Sequence, residues 1–328
     1  MDLVTGGTGF VGAHVVRALL ARGHSVRCLV RRGSRRANLE GLPVEIAEGD
    51  VTEPESLGEA MKGIETVYHC AADYRLSVPD PRPLFACNVA GTENVMQAAA
   101  GAGARRVVHT SSVGALGRTA NGRPATEETP VDPASLIGPY KRSKYEAERV
   151  ADRWAGRGLP VVIVNPSTPV GELDVKPTPT GQMIVDFLNR RMPAYVDTGL
   201  NLVDVRDVAE GHILAAERGH PGQKYILGNR DMTLKEILDS LSRLTGIPSP
   251  RIRLPHWIPL TAAAFESVRS RMTGRPPRIP LEGVRMSRYR MFFDSSKAVR
   301  ELGFTPKPVD DALARAIAYF REKGYARS

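Results

Sequence analysis

The chain has 328 residues, is 42% hydrophobic and carries a formal net charge of +9; that suits one large α/β domain with an appended lobe and a proper core. It has no apolar run of the about 18 residues needed to span a bilayer. Cys28, Cys70 and Cys87 lie in apolar runs without metal-type spacing, so they read as buried thiols in a reducing cytoplasm, and no metal site is expected. The positive charge falls in two patches: Arg27, Arg31, Arg32, Arg35 and Arg36, and a segment from Arg251 to Arg290 with nine arginines against Glu266 and Glu282. That pattern indicates local anion sites, not a nucleic-acid surface, and no nucleic-acid-binding motif is present.

The chain opens on Leu3-Val4-Thr5-Gly6-Gly7-Thr8-Gly9-Phe10-Val11-Gly12, with no charged-then-apolar leader before this first strand, so a cytoplasmic location is expected. Val11, Val15, Val16, Leu19 and Leu20 follow at helical spacing on one face. Glycines at Gly6, Gly9 and Gly12 permit a tight turn and a close approach to a pyrophosphate, at a helix N-terminus that offers free N–H groups. Unliganded, the same stretch would be a plain strand-to-helix turn. Further strands are predicted at 26–30, 44–47, 66–72, 106–110 and 161–164, with helices over about 85–100 and 140–154. Such alternation predicts a parallel sheet covered by helices on both faces.

After Pro166 the texture changes. Residues 165–181, rich in Pro, Thr and Gly, are expected to form a loop, and strands at 201–205 and 224–228 to return to the sheet. Thr233 is a plausible N-cap of a helix over 233–244, with Glu236 at the capping-box position. Residues 254–280 read as proline-broken, and a last helix over 309–323 has an apolar face through Leu313, Ile317 and Phe320. The expected architecture is α/β: a doubly wound parallel-sheet Rossmann domain (1–166 and 200–228) with a smaller, discontinuous C-terminal substrate lobe (167–199 and 229–328).

Tyr140 and Lys144 are four apart on a predicted helix, so both project from one face. An ammonium beside a phenol favours the phenolate, so Lys144 is expected to lower the Tyr140 pKa and make it an acid or base near neutrality. The bland alternative is an ordinary Tyr and Lys on a charged helix. Ser111 and Ser112 end the fifth strand, where such a sheet exposes ligand-facing residues, though paired serines also form plain turns.

In combination these motifs resemble the extended short-chain dehydrogenase/reductase superfamily over essentially the full length. The match runs through TGGTGFVG, GDV at 49–51, HCAAD at 69–73, NVAGT at 88–92, TSSVGALG at 110–117, YKRSK at 140–144 and a closing FFDSSKAVRELGF. The resemblance implies a catalytic triad of Ser112, Tyr140 and Lys144, with Lys144 also reaching the nicotinamide ribose. It places Gly6, Thr8, Gly9, Phe10, Val11 and Gly12 around the cofactor phosphates, and Asp50 and Val51 at the adenine. Ala71 and Ala72 fall at the phosphate–ribose strand end, Asn88 at a structural position near the cofactor, and Pro166 and Ser167 beside the nicotinamide. The strings ADYRL, NPSTPVG, KPTPTG, RMPAYVDTGLNLVDV and VRMSRYRMFFD are similar to the hopanoid-associated sugar epimerase family, itself related to dihydroflavonol 4-reductases.

Two departures from relatives sharpen the expectation. An acid that would bind ribose hydroxyls is replaced after Val30 by Arg31 and Arg32, which implies NADP, with NADPH preferred over NADH and Arg31 as the 2′-phosphate clamp. A solvated arginine run is the plain alternative. Relatives acting on nucleotide sugars resemble R-x-F-N-x-x-G near 164–171, where this chain has Asn165 and Thr168 at the corresponding places. That favours an uncharged or lipid-like substrate, and the resemblance to the hopanoid-associated family implies a small-molecule or lipid-linked, hopanoid-like one. The leading expectation is hydride transfer to or from a carbonyl or secondary alcohol. The alternatives are a sugar epimerase with transient oxidation, and a non-catalytic cofactor-sensing regulator, against which the intact triad argues. Trp257, Ile258, Leu260 and Phe265 beside Arg251, Arg253, Arg269 and Arg271 have the makings of a face toward anionic lipid, or of a lid helix buried by its apolar side. Dimer packing among relatives adds a homodimer by analogy.

Overall fold

The computed structural model describes residues 1–76, 78–119, 122–273 and 281–326, with the side chains of 267, 268 and 270–273 outside the description. In chain order the first half comprises β1 (Asp2–Thr5), α1 (Phe10–Ala21), β2 (Val26–Val30), β3 (Glu45–Glu48), α2 (Leu57–Met61), β4 (Thr66–His69), α3 (Arg82–Phe85), α4 (Gly91–Gly101), β5 (Arg106–Thr110), α5 (Gly138–Gly156) and β6 (Val161–Pro166). Then follow β7 (Thr168–Val170), α6 (Pro179–Leu188), β8 (Ala194–Val196), β9 (Gly199–Asp204), α7 (Val205–Arg218), β10 (Lys224–Leu227), β11 (Arg230–Thr233) and α8 (Leu234–Thr245). The chain closes with β12 (Ile252–Leu254), α9 (Trp257–Thr273), α10 (Leu281–Met286), β13 (Arg290–Met291), α11 (Ser296–Leu302) and α12 (Val309–Glu322).

Seven strands form one parallel sheet in the order β10-β6-β5-β4-β1-β2-β3. The middles of its central strands are apolar on both sides because helices cover both faces. Val4, Val16, Leu19, Val108, Val164, Ile213 and Leu227 fill one face, under α1, α7 and α11. Leu3, Leu57, Val67, Met96, Val107, Val150 and Ile163 fill the other, under α2, α4 and α5. Strand order reverses between β1 and β4, and a crevice opens beyond their carboxyl ends. This is the expected doubly wound fold.

The second half departs from expectation in three places. Residues 165–181 are not all loop: Thr168–Val170 pairs with β9 in register Thr168↔Leu202, and α6 starts at Pro179, capped by the Thr178 hydroxyl. The strand expected at 201–205 does not rejoin the main sheet; β9 is the centre of a second sheet with β7, β11 and β13. Its alternating faces explain why: Leu202 enters a third core with Phe187, Leu241, Leu313 and Phe320, while Val203 packs into the first. β10 alone returns, pairing with β6. Pro259 does not break α9 because it lies in the first turn, where its missing N–H has no helical partner to lose. Thr233 and Glu236 form the reciprocal capping box expected of α8.

Candidate active site

The crevice is built from the glycine turn upward. Gly6 has φ +72°, accepts the Gly9 N–H at 2.9 Å, and lies so close to the end of β4 that a Cβ there would approach the Ala71 nitrogen to 2.7 Å. A Cβ on Gly12 would strike the Gly6 carbonyl. Gly9 caps α1 without a side chain, so the first helical N–H groups, at Phe10, Val11 and Gly12, face the crevice mouth unsatisfied by any side-chain cap. Asn38 donates to the Thr8 carbonyl at 3.2 Å and ties the turn to the chain after β2.

Around this turn stand the other residues singled out in the sequence. Arg31 and Arg32 follow β2 exposed, and among the described residues neither guanidinium carries an ion pair. Arg31 is near enough to Asp73 to help hold its carboxyl below the usual range, although burial pushes it up and the Arg75 guanidinium does most of the lowering. Asp50 accepts from the Thr52 N–H and hydroxyl, both at 2.9 Å, and the buried Val51 is fixed through its carbonyl by Asn94 at 2.8 Å. Ala71 donates its N–H to the Thr5 hydroxyl, and Ala72 follows it out of the sheet. Asn88, held in a π-helical turn over Ala86–Ala90, bonds the Asp73 N–H and carbonyl and the Ser143 hydroxyl, which ties the loop after β4 to α5.

Ser112, Tyr140 and Lys144 converge where β5 meets α5. The Ser112 hydroxyl accepts the Gly114 N–H at 3.0 Å and lies near enough to the Tyr140 phenol to act on its pKa. Lys144 donates to the Thr110 carbonyl at 2.6 Å. The two serines are thereby told apart: Ser111 turns inward and donates to Glu148 at 2.5 Å, while Ser112 faces the phenol. The expected lowering of the Tyr140 pKa by Lys144 is not found. Burial pushes the phenol up, Ser112 pulls it down by less, and it is neutral at pH 7. Burial also brings Lys144 down to about 8, with Glu148 the main charge opposing that shift.

Glu148, invisible to the sequence reading, organises the floor of this site. Its buried carboxylate accepts from Ser111, from Asn165 at 2.7 Å and from Lys224 at 2.6 Å. Asn165 also bonds the Ser112 carbonyl at 3.2 Å, so this network sets the backbone of the serine that faces Tyr140. The available signal was spacing: Glu148 is one helical turn beyond Lys144. Lys141, the second buried lysine of α5, points instead at the Met291 sulfur, 3.6 Å away, and burial brings it down to about 8. His69 bonds the hydroxyls of Thr5 and Thr92 and is held neutral, its pKa pushed to about 3 by burial.

The crevice fits a dinucleotide on three structural counts. The glycine turn is a cradle that a Cβ at Gly6 or Gly12 would fill. The helix it feeds has no side-chain cap. At the far end, on either side of Pro166, Asn165 Oδ1 and Ser167 Oγ are buried without a hydrogen-bond partner, an arrangement costly unless a ligand amide or hydroxyl satisfies it. Among the described residues no cluster of His, Cys, Asp or Glu could hold a metal ion, and the cysteines are free thiols.

The model of the NAD-dependent epimerase/dehydratase family matches residues 3–228, which span the glycine turn, Ser112, Tyr140, Lys144 and the returning strand. The chain belongs to this family. Its members are NAD-dependent reductases, dehydrogenases, dehydratases and epimerases, and the chain is an enzyme of that oxidoreductase type. It is 48% identical over 331 residues to a Synechocystis sp. protein with a provisional name as a dihydroflavonol 4-reductase, covering 99% of this chain and 96% of that one. It is 41% identical to sterol demethylase protein B of Methylococcus capsulatus, covering 98% of each. The crystal structure of gox2253 superposes with a TM-score of 0.90 at 48% identity, over 100% of this chain and 99% of that one. As an epimerase/dehydratase family member the chain has, among its described residues, no helix long and apolar enough to cross a membrane.

Proposed function

We propose that the protein is an NADP(H)-dependent reductase or dehydrogenase of a carbonyl or secondary alcohol on a lipid-like substrate. The approach of Ser112 to the Tyr140 phenol, with Lys144 one turn further along α5, carries the reading. When bound, the cofactor supplies or accepts a hydride at its nicotinamide ring. Tyr140, neutral at pH 7, donates the proton that the reduced oxygen takes up, and recovers it in the reverse direction. Ser112 holds the substrate oxygen by hydrogen bond, and its position is fixed through Asn165 and Glu148. Lys144, held by the Thr110 carbonyl one turn beyond Tyr140, binds the nicotinamide ribose in this reading.

Two further observations support the finer parts of the proposal. Arg31, exposed and free of an ion pair beside the loop after β4, is placed to receive a 2′-phosphate bidentately. A cavity of about 460 Å³ walled by Ile137, Leu260, Ala264, Leu281 and Tyr289, with Arg285 and Arg288 completing the lining, lies at the start of α5, three residues before Tyr140, and suits an amphiphilic substrate. The sterol in the Methylococcus capsulatus relative's name is of that character. Asn165, spent on Glu148 and the Ser112 carbonyl, has no amide hydrogen turned toward a substrate phosphate, which speaks against a nucleotide sugar.

The test is the nucleotide released on denaturing freshly purified protein, counted against protein, followed by NADPH and NADH titration. Empty protein that binds NADPH at least tenfold tighter, with that preference lost in Arg31→Ala, is the expected result. A nearly full complement of tightly held oxidised cofactor would overturn the reductase reading in favour of an epimerase that recycles it.

A further inference from the structure

The three most exposed large apolar side chains among the described residues are Phe265 (72%), Trp257 (64%) and Ile252 (62%), and all three fall between β12 and the middle of α9. Helical geometry aligns them. Trp257, Thr261 and Phe265 are spaced four apart, and Ala262 and Ala264 flank them; all five are exposed, while Ala263 on the opposite side is buried. The exposed arc of α9 is thus apolar apart from one threonine. Isolated apolar residues on a surface need no explanation, but a contiguous apolar arc marks an interaction site.

Its surroundings are basic. No acid occurs from 251 to 265, and the exposed Arg251, Arg253, Arg285, Arg288 and Arg290 lie on or directly beside β12, α10 and β13. Arg253 and Arg290 share a single carboxylate, Asp197, and among the described residues Arg285 and Arg288 have no ion pair. An apolar arc bordered by arginines complements an anionic bilayer: the ring systems enter the acyl boundary and the guanidinium groups reach the headgroups. A water-soluble protein partner would gain nothing from the excess of unpaired positive charge unless it were acidic.

We infer that α9 lies flat on an anionic lipid surface, with Trp257 and Phe265 inserted and Arg285 and Arg288 on the headgroups. The cavity at the start of α5 then opens at the membrane: Leu260 and Ala264 of α9 form one wall, and Arg285 of α10 with Arg288 just after it another. An amphiphile leaving the bilayer would enter it without crossing water. The docking surface stands whether or not the substrate is lipid-like, so its test leaves the proposed reaction untouched.

The chain has two tryptophans, and Trp154 is anchored by an indole N–H bond to Glu93 on α4 at 2.8 Å. A Trp154→Phe protein therefore reports on Trp257 alone. Vesicles of phosphatidylcholine with about one-third phosphatidylglycerol should shift its emission to the blue at low salt, brominated acyl chains should quench it, and added salt should reverse both. Flotation with the same vesicles should fall at least tenfold in W257A/F265A and in R285A/R288A, while W257A/F265A still binds nucleotide. Unshifted emission with no flotation at low salt would overturn the inference. So would equal binding to pure phosphatidylcholine, or lipid-independent dimerisation that W257A/F265A abolishes, which would assign the arc to a second copy of the chain.

Discussion

Replacing Lys144 by methionine should make the nucleotide-free protein more stable at neutral pH. Burial brings the Lys144 pKa to about 8, against 10.5 for a free lysine. The folded state therefore releases this proton more readily than the unfolded chain, and stability rises with pH between those values. At pH 7 both states hold the proton and the full penalty is present, about 3 kcal/mol. Above about pH 10.5 both states are neutral and the penalty is gone. Methionine fills a similar volume without the charge but forfeits the bond to the Thr110 carbonyl, about 1 kcal/mol. K144M should thus be more stable by about 2 kcal/mol at pH 7, by urea denaturation, and about 1 kcal/mol less stable near pH 10.5. Turnover should be lost at every pH. A stability difference that stays constant across that range, or a K144M protein weaker at pH 7, would refute the argument that this lysine is held at a cost.

Two further substitutions probe the frame of the site. E148Q leaves Lys224 without its closest carboxylate and weakens the bonds from Ser111 and Asn165. It should cost about 2–3 kcal/mol in urea denaturation, since Asp152 still faces Lys224 at 3.3 Å, and K224M in the same background should recover part of the loss. An unchanged denaturation midpoint for E148Q would refute the assignment of this network. G12A places a methyl group against the Gly6 carbonyl, so nucleotide affinity should fall at least about tenfold by fluorescence titration while far-ultraviolet circular dichroism is retained; unaltered affinity would show that the turn does not touch the nucleotide.

Local patterns in the chain were enough for the nucleotide-binding half. Apolar runs at every second structural element, the glycines at 6, 9 and 12, and Tyr140 four residues before Lys144 are short-range features, readable wherever backbone geometry fixes the side-chain direction. The doubly wound parallel sheet, the glycine turn and the α8 capping box followed from them. Properties that depend on surroundings did not. Whether Tyr140 is more or less acidic than a free phenol is decided by how completely the fold removes water from it, and burial outweighed the neighbouring charge that sequence spacing suggested. Glu148 reads as one charge on a charged helix until β6 and β10 bring Asn165 and Lys224 against it from residues distant in the chain. The same holds for β9, whose alternation suits either sheet and which the lobe's own core of Phe187, Leu313 and Phe320 claims. For Trp257 and Phe265 the apolar spacing fixed which residues share a face of α9; only the packing of Ala263 inward left that face to the solvent.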